Sequence, residues 1–418
     1  VQLAVPGTVD PRGRAESRAA LPPGFCVLPF VNLHVAANGA IAPCCEFAGS
    51  LGTVRGTTLA AAWNGAAMAA IRDSFRAGQP VEGCWKCVDR ERTEGHSLRL
   101  DNLAVAGLMP EPVGGVPTAS PFPRTLDLRF SNLCNFRCRT CWHGASSKWF
   151  ADGKAIGLLA GDTAELRSFA DLDDAVGQIA GGLHDLRVLY FAGGEPLLMP
   201  EHHALLERLI AGGRTDVALS YNTNLSVTAF RGRSILDLWA QFPRLRIEAS
   251  VDGAGARGAF IRKDFDWPSF VANVAAIRRA CPHAIISFGV TVSVFNVMTL
   301  TDLLAALAAA CAASPDSVHL HSLQEPLFYR TQILPRAMKQ RAAGSIAALI
   351  ARTAHAASPG QRLLTQRLMG VVRYMNAEDQ TAQIPRFLER SARLDAVRRE
   401  DWRVVLPELA PLAEAVPA

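Results

Sequence analysis

Strand-like apolar segments over residues 125–130, 186–192, 216–221, 245–251, 285–294 and 317–323 alternate with helix-like stretches near 162–181, 200–212, 232–241, 267–280 and 299–313. A strand separated from the next by a helix pairs with it in parallel, and right-handed crossovers curl successive units the same way. Six such units predict an α/β fold, a partial (β/α)6 TIM-like barrel behind a small cysteine-rich N-terminal domain. Active sites of such barrels lie beyond the C-terminal ends of the strands. The sequence puts residues 134–141 after the first strand and Gly193-Gly194-Glu195-Pro196 after the second. Asn222-Thr223-Asn224 follows the third, and Ser250-Val251-Asp252-Gly253 the fourth. Four polar or glycine-rich segments thus converge on one mouth.

The ten cysteines are spread unevenly: eight precede residue 142, and only Cys281 and Cys311 follow it. A secreted disulfide scaffold would be shorter and scatter them, so the ligand-like spacings point to metal clusters in a reducing cytoplasm. Cys134, Cys138 and Cys141 form C-x3-C-x2-C. Three thiolates on one short loop hold three irons of a [4Fe–4S] cube and leave the fourth iron open as a reaction centre. The competing reading is a structural zinc site with His143 as its fourth ligand. Cys281 and Cys311 lie in apolar surroundings and read as buried structural thiols.

Hydrophobic residues make up 49% of the chain and charged ones 19%, enough for a sizeable core. A net charge of +5 with no basic run gives no support for a nucleic-acid partner. No apolar run is long enough to span a bilayer, and residues 1–23 lack a secretory layout, so no membrane partner and a cytoplasmic location are expected.

Ser131-Asn132-Leu133-Cys134-Asn135-Phe136-Arg137-Cys138-Arg139-Thr140-Cys141 resembles the cluster loop of the radical S-adenosylmethionine (SAM) superfamily. The resemblance implies that Cys134, Cys138 and Cys141 ligate the cluster whose open iron chelates SAM. Thr140 stands where the family commonly has an aromatic residue, and Trp142 is a candidate for the missing aromatic wall. Gly193, Gly194, Glu195 and Pro196 resemble the motif for the SAM amino group; glycines let the backbone approach, and oxygens accept from an ammonium. By the same resemblance Asn222, Asn224, Ser250 and Asp252 contact ribose and carboxylate. Arg262 is a candidate partner for the SAM carboxylate or a substrate anion.

Residues 24–104 resemble a SPASM/twitch auxiliary-cluster domain. Cys26, then Gly39 and Cys44, fit its cysteine–glycine–cysteine hairpin, with Asn38-Gly39 as the turn signal between residues 31–35 and 40–43. A helix follows over about 58–77, and Cys84-Trp85-Lys86-Cys87 supplies a C-x2-C pair. The resemblance implies an auxiliary [4Fe–4S] cluster on Cys26, Cys44, Cys84 and Cys87. Adjacent strand residues face opposite ways, so Cys44 and Cys45 cannot easily both ligate, and the spacing from Gly39 favours Cys44. The rest of the chain divides into an arm (1–23), a linker (105–123), the barrel (124–330) and a helical C-terminal region (331–418). Glu91, Glu94 and His96 read as solvated, and His202-His203 as surface. His319 and His321 share one face of the last strand, as proton carriers or core histidines.

The implied enzyme reductively cleaves SAM to a 5′-deoxyadenosyl radical. It then takes hydrogen from a C–H bond of a peptide or protein, leading to oxidation, a cross-link or epimerisation. A flavodoxin- or ferredoxin-type protein would be its reductant. The alternatives are the same chemistry on a small metabolite, or a non-catalytic iron–sulfur electron carrier. The carrier has no use for an ammonium-binding turn at residues 193–196.

Overall fold

The computed structural model describes residues 21–22, 24–93, 95, 97–103, 118–354 and 358–414. The expected arm and linker fall mostly outside these residues, as do Glu94 and His96. Among the described residues the main sheet has eight strands: β1 (Asn32–Val35), β2 (Ile41–Ala42), β3 (Thr125–Leu128), β4 (Val188–Phe191), β5 (Ala218–Thr223), β6 (Leu245–Ser250), β7 (Ile285–Val292) and β8 (Val318–Ser322). Their spatial order is β8-β7-β6-β5-β4-β3-β1-β2, parallel throughout except for β2. The six strands read from the sequence are β3 to β8, each placed within a few residues of its expected span.

One feature was not foreseen: the N-terminal module is built into the sheet. Asn38 and Gly39 (φ +85°) form the turn between β1 and β2. Gly39 N–H donates to Ala36 O at 2.8 Å, and Asn38 Oδ1 accepts from Ala40 N–H at 3.1 Å. β1 then runs parallel to β3 in full register, His34 opposite Asp127.

Side chains alternate across these strands. Leu126, Leu189, Leu219 and Ile247 are fully buried in the main apolar core. Each stabilises the fold by about 1.5–3 kcal/mol relative to exposure. The other face carries His34, Asp127, Tyr190, Ser220, Glu248 and His319, all buried. It lines the lumen, where each polar group must find a partner. His34 Nδ1 lies 2.9 Å from Asp127 Oδ2, and His319 Nδ1 lies 2.6 Å from Glu248 Oε2. His321 shares that face, exposed, with Nε2 at 3.4 Å from Glu248.

The expected helix over 58–77 is two, α1 (Leu59–Asn64) and α2 (Ala66–Arg76). Gly65 separates them with extended backbone (φ −75°, ψ 162°). The break lets Trp63 bury fully, its Nε1 donating to Ser120 O at 2.8 Å while Arg72 stacks 4.1 Å over its ring. α3 (Trp85–Thr93) carries the second half of the C-x2-C pair. The barrel helices are α4 (Leu172–Ala180), α5 (Pro200–Ala211), α6 (Ile235–Trp239), α7 (Gly255–Ile261), α8 (Trp267–Ala280) and α9 (Leu300–Cys311). α10 (Arg336–Thr353), α11 (Pro359–Ala377) and α12 (Ile384–Arg398) form the C-terminal region.

His202 and His203 on α5 are buried, not at the surface as the sequence reading had them. The reading missed their partners: His202 Nε2 meets Tyr221 Oη at 2.9 Å, and His203 Nε2 meets Leu197 O at 3.1 Å. Cys281 and Cys311 are buried thiols, as expected. No helix among the described residues is long and apolar enough to cross a membrane.

Candidate functional site

The loop after β3 is fixed by its own polar residues. Asn132 is fully buried; Nδ2 donates to His143 O (2.8 Å) and Ala164 O (3.0 Å), and Oδ1 accepts from Leu166 N–H (2.7 Å). His143 Nε2 lies 3.1 Å from Ala164 O, and His143 is not in the lining of the cavity that the three cysteines share. α12 clamps the far side of the loop. The guanidinium of Arg139 is buried and pairs with Asp395 and Glu400, and it stacks 3.7 Å over Phe260. Asp152 accepts from both Arg137 (2.9 Å) and Arg398 (2.7 Å). The sequence offered no periodicity or motif that tied Asp395, Arg398 or Glu400 to this loop.

A cavity of about 450 Å³ opens above the strand ends. Cys134, Cys138, Cys141 and Thr140 line it together with Gly193, Gly194, Asn222, Asn224, Ser250 and Arg262. Burial pushes the thiols of Cys134 and Cys141 up to about 12, and the neighbouring Cys138 pushes both the same way. Three convergent thiols that cannot ionise alone suit a cationic metal cluster, whose charge stabilises thiolates. Arg262 donates to Asp252 at 2.9 Å, while its buried Nε has no partner among the described residues. That orphan donor in the cavity wall fits a carboxylate.

Other candidates stand back from the cavity. Glu195 is fully buried and clamps two loops: it accepts from Thr223 Oγ1 (2.6 Å), Asn224 N–H (2.7 Å) and Leu197 N–H (3.2 Å). Burial raises its carboxyl to about 7 against those hydrogen bonds. Glu195 therefore positions Asn224, whose Nδ2 donates to Asn135 Oδ1 at 2.9 Å and lies 3.9 Å from Cys134 Sγ. Pro196 is buried beneath this turn. Asp252 is 1% exposed and works through Arg262 and Thr291 N–H (2.8 Å). Trp142 is 66% exposed and folds over Gly144, so it makes no wall of the cavity. Sequence reasoning missed Cys45, Glu46, Arg129 and Tyr190, which also line it. Cys45 and Glu46 required the placement of β1 beside β3, whereas Arg129 and Tyr190 follow from the alternation of β3 and β4.

Gly194 is a point of contact between loops: a Cβ there would sit 2.1 Å from Leu133 O. Backbone cannot yield as a side chain tip can. Gly194→Ala is expected to push the β4 loop off the cysteine loop and weaken SAM binding by at least about tenfold, the equivalent of 1.4 kcal/mol. Equilibrium dialysis with labelled SAM reads this, and unchanged affinity would contradict the packing role.

A second cavity of about 1000 Å³ is lined by Cys26, Cys44, Cys84 and Cys87. Burial raises Cys26 to about 12 and Cys84 to about 11, and neighbouring thiols add to both shifts. Cys45 lines the first cavity instead, and Glu46 lines both. Glu91 at the rim is not simply solvated: it accepts from Ser97 (2.6 Å) and Arg99 (3.0 Å).

Residues 128–308 match the model of the radical SAM superfamily, and residues 26–88 that of an iron–sulfur cluster-binding domain of SPASM type. The chain thus carries a radical SAM domain with a SPASM-type domain ahead of it. Radical SAM and SPASM domains imply [4Fe–4S] clusters and SAM as cofactors. Solved structures similar to this chain include SuiB from Streptococcus suis bound to precursor peptide SuiA, at 13% identity and a TM-score of 0.36. That match covers 54% of this chain and 47% of SuiB. Native anSMEcpe with bound AdoMet matches at 13% identity and a TM-score of 0.39, over 55% of this chain and 60% of that one. The chain thus spans about half to three-fifths of these structures. No protein with a curated description matches it.

Proposed function

We propose that this radical SAM chain reductively cleaves SAM to a 5′-deoxyadenosyl radical and uses it to abstract hydrogen from a C–H bond of a peptide or protein. The observation that carries the reading is the single cavity in which Cys134, Cys138 and Cys141 meet Gly193, Gly194, Asn222, Asn224, Ser250 and Arg262. Cys134, Cys138 and Cys141 would hold the SAM-cleaving [4Fe–4S] cluster, and Cys26, Cys44, Cys84 and Cys87 the auxiliary one. The first cluster, when bound, supplies a low-potential electron and an open coordination position for SAM.

The chain's own residues bind and orient the reactants. The close backbone approach at Gly193 and Gly194 gives carbonyls access to the SAM ammonium. Arg262, held by Asp252, offers its free Nε–H to the carboxylate. Asn222, Asn224 and Ser250 supply hydrogen bonds to the ribose. Glu195 and α12 keep these groups in place, so little reorganisation is needed when SAM enters.

The [4Fe–4S] cluster and SAM together would take up most of a cavity of about 450 Å³, so a peptide would reach it with a single side chain, its backbone outside the cavity. A small metabolite is the second reading. Anaerobic incubation with dithionite and SAM should release 5′-deoxyadenosine. A protein that carries both clusters and binds SAM but releases none is an electron carrier, and the proposal fails.

A further inference from the structure

One polar cluster of the lumen has no part in the proposed function. His319 and His321 stand two residues apart on β8, so their rings leave the strand on one face. Glu248 reaches them from β6, two strands away. Its Oε2 lies 2.6 Å from His319 Nδ1, and its Oε1 lies 3.4 Å from His321 Nε2. β7 runs between, and the carboxylate crosses it at Gly289, the register partner of His319. A Cβ on Gly289 would sit 2.8 Å from Glu248 Oε1, so only a residue without a side chain leaves this passage open. Glycine weakens a strand interior and often marks the close approach of another group. One ligand atom from each of Glu248, His319 and His321 falls within 4.8 Å of the others. Ligands at about 2.0–2.1 Å from a tetrahedral zinc are themselves about 3.3 Å apart. The contact with His321 already has that spacing, and the one with His319 would open by about 0.7 Å.

We propose that Glu248, His319 and His321 form a binding site for a divalent transition cation, zinc or a first-row neighbour. The site goes beyond the radical SAM reading and depends on neither SAM nor the cysteines. Two imidazoles and one carboxylate suit zinc better than calcium or magnesium, which take oxygen ligands. Glu248 and His319 are buried whereas His321 is exposed, so the ion is held against the sheet and reached from one side. Three protein ligands leave a fourth position for water, or for a carboxylate or carbonyl oxygen. Thr291, opposite His321 in the ladder, lines the cavity of about 450 Å³. The cation therefore sits on the strand next to that cavity wall. Arg246 and Arg367 also attract the Glu248 carboxylate and compete with a cation for it. The expected affinity is micromolar, weaker than that of a structural zinc site. The alternative is a bare ion pair that ties β6 to β8 and takes up no metal.

The test uses cluster-loaded protein, dialysed anaerobically against micromolar zinc. Bound zinc is measured by elemental mass spectrometry, and its ligands by X-ray absorption at the zinc edge. The expected result is about one zinc per chain with a nitrogen and oxygen shell at about 2.0–2.1 Å. Loss of an outer-shell partner alone weakens a metal site about 10–100-fold, so loss of a ligand should cost at least about a hundredfold. His321→Ala and, separately, Glu248→Gln should each show that loss. His321 is exposed, so its removal leaves the buried pair of Glu248 and His319 in place. His184→Ala, on an exposed histidine elsewhere, should leave both the zinc and its shell unchanged. Zinc retained in His321→Ala, a sulfur shell at about 2.3 Å, equal loss in His184→Ala, or no uptake at all overturns the inference. None of these results bears on SAM cleavage, which is read separately as 5′-deoxyadenosine.

Discussion

Cys134→Ala should reduce SAM cleavage to the level of protein-free controls. The loop would retain two thiols, too few to hold a cube whose fourth corner must stay open for SAM. Cys134 also anchors the loop locally: its Sγ accepts from Phe136 N–H at 3.4 Å and lies 3.9 Å from Asn224 Nδ2. The loop itself should survive the change, because Asn132 and the pairing of Arg139 with α12 hold it without any cysteine. Iron should fall from about eight to about four atoms per chain, one cluster of two. The assays are 5′-deoxyadenosine by mass spectrometry and iron by colorimetry on the same sample. Persistent cleavage would mean that SAM reacts elsewhere.

The companion variant, Cys87→Ala, should show the opposite split. Cys87 lines only the larger cavity, so its loss removes about four irons and one of two expected reduced-cluster EPR signals while SAM cleavage continues. Product formation should fall, since the auxiliary site would no longer pass on the remaining electron or hold substrate. Equal loss of cleavage in both variants would show that the two cysteine sets do not have separate tasks.

Much of this architecture was legible because its signals are local. The strands β3 to β8 announce themselves by apolar runs bounded by turns, and the C-x3-C-x2-C spacing needs no tertiary information. The hairpin at Asn38-Gly39 is equally local, since only glycine sits easily at φ +85°. What stayed hidden depends on contacts across long sequence separations. Glu195 looked like a direct ligand of SAM, but Thr223 and Asn224, some thirty residues on, occupy its carboxylate. The break at Gly65 combines a poor helix former with the packing of Trp63 against residue 120, and only the first is local. The grip of α12 on Arg139 spans over 250 residues. No window along the chain reports such a pairing.

The parallel pairing of β1 with β3 has a mechanical consequence. Backbone hydrogen bonds, not a tether, set the spacing between the two thiol-lined hollows, and Cys44 and Cys45 straddle the partition between them. Moving one hollow relative to the other would mean breaking the β1–β3 ladder.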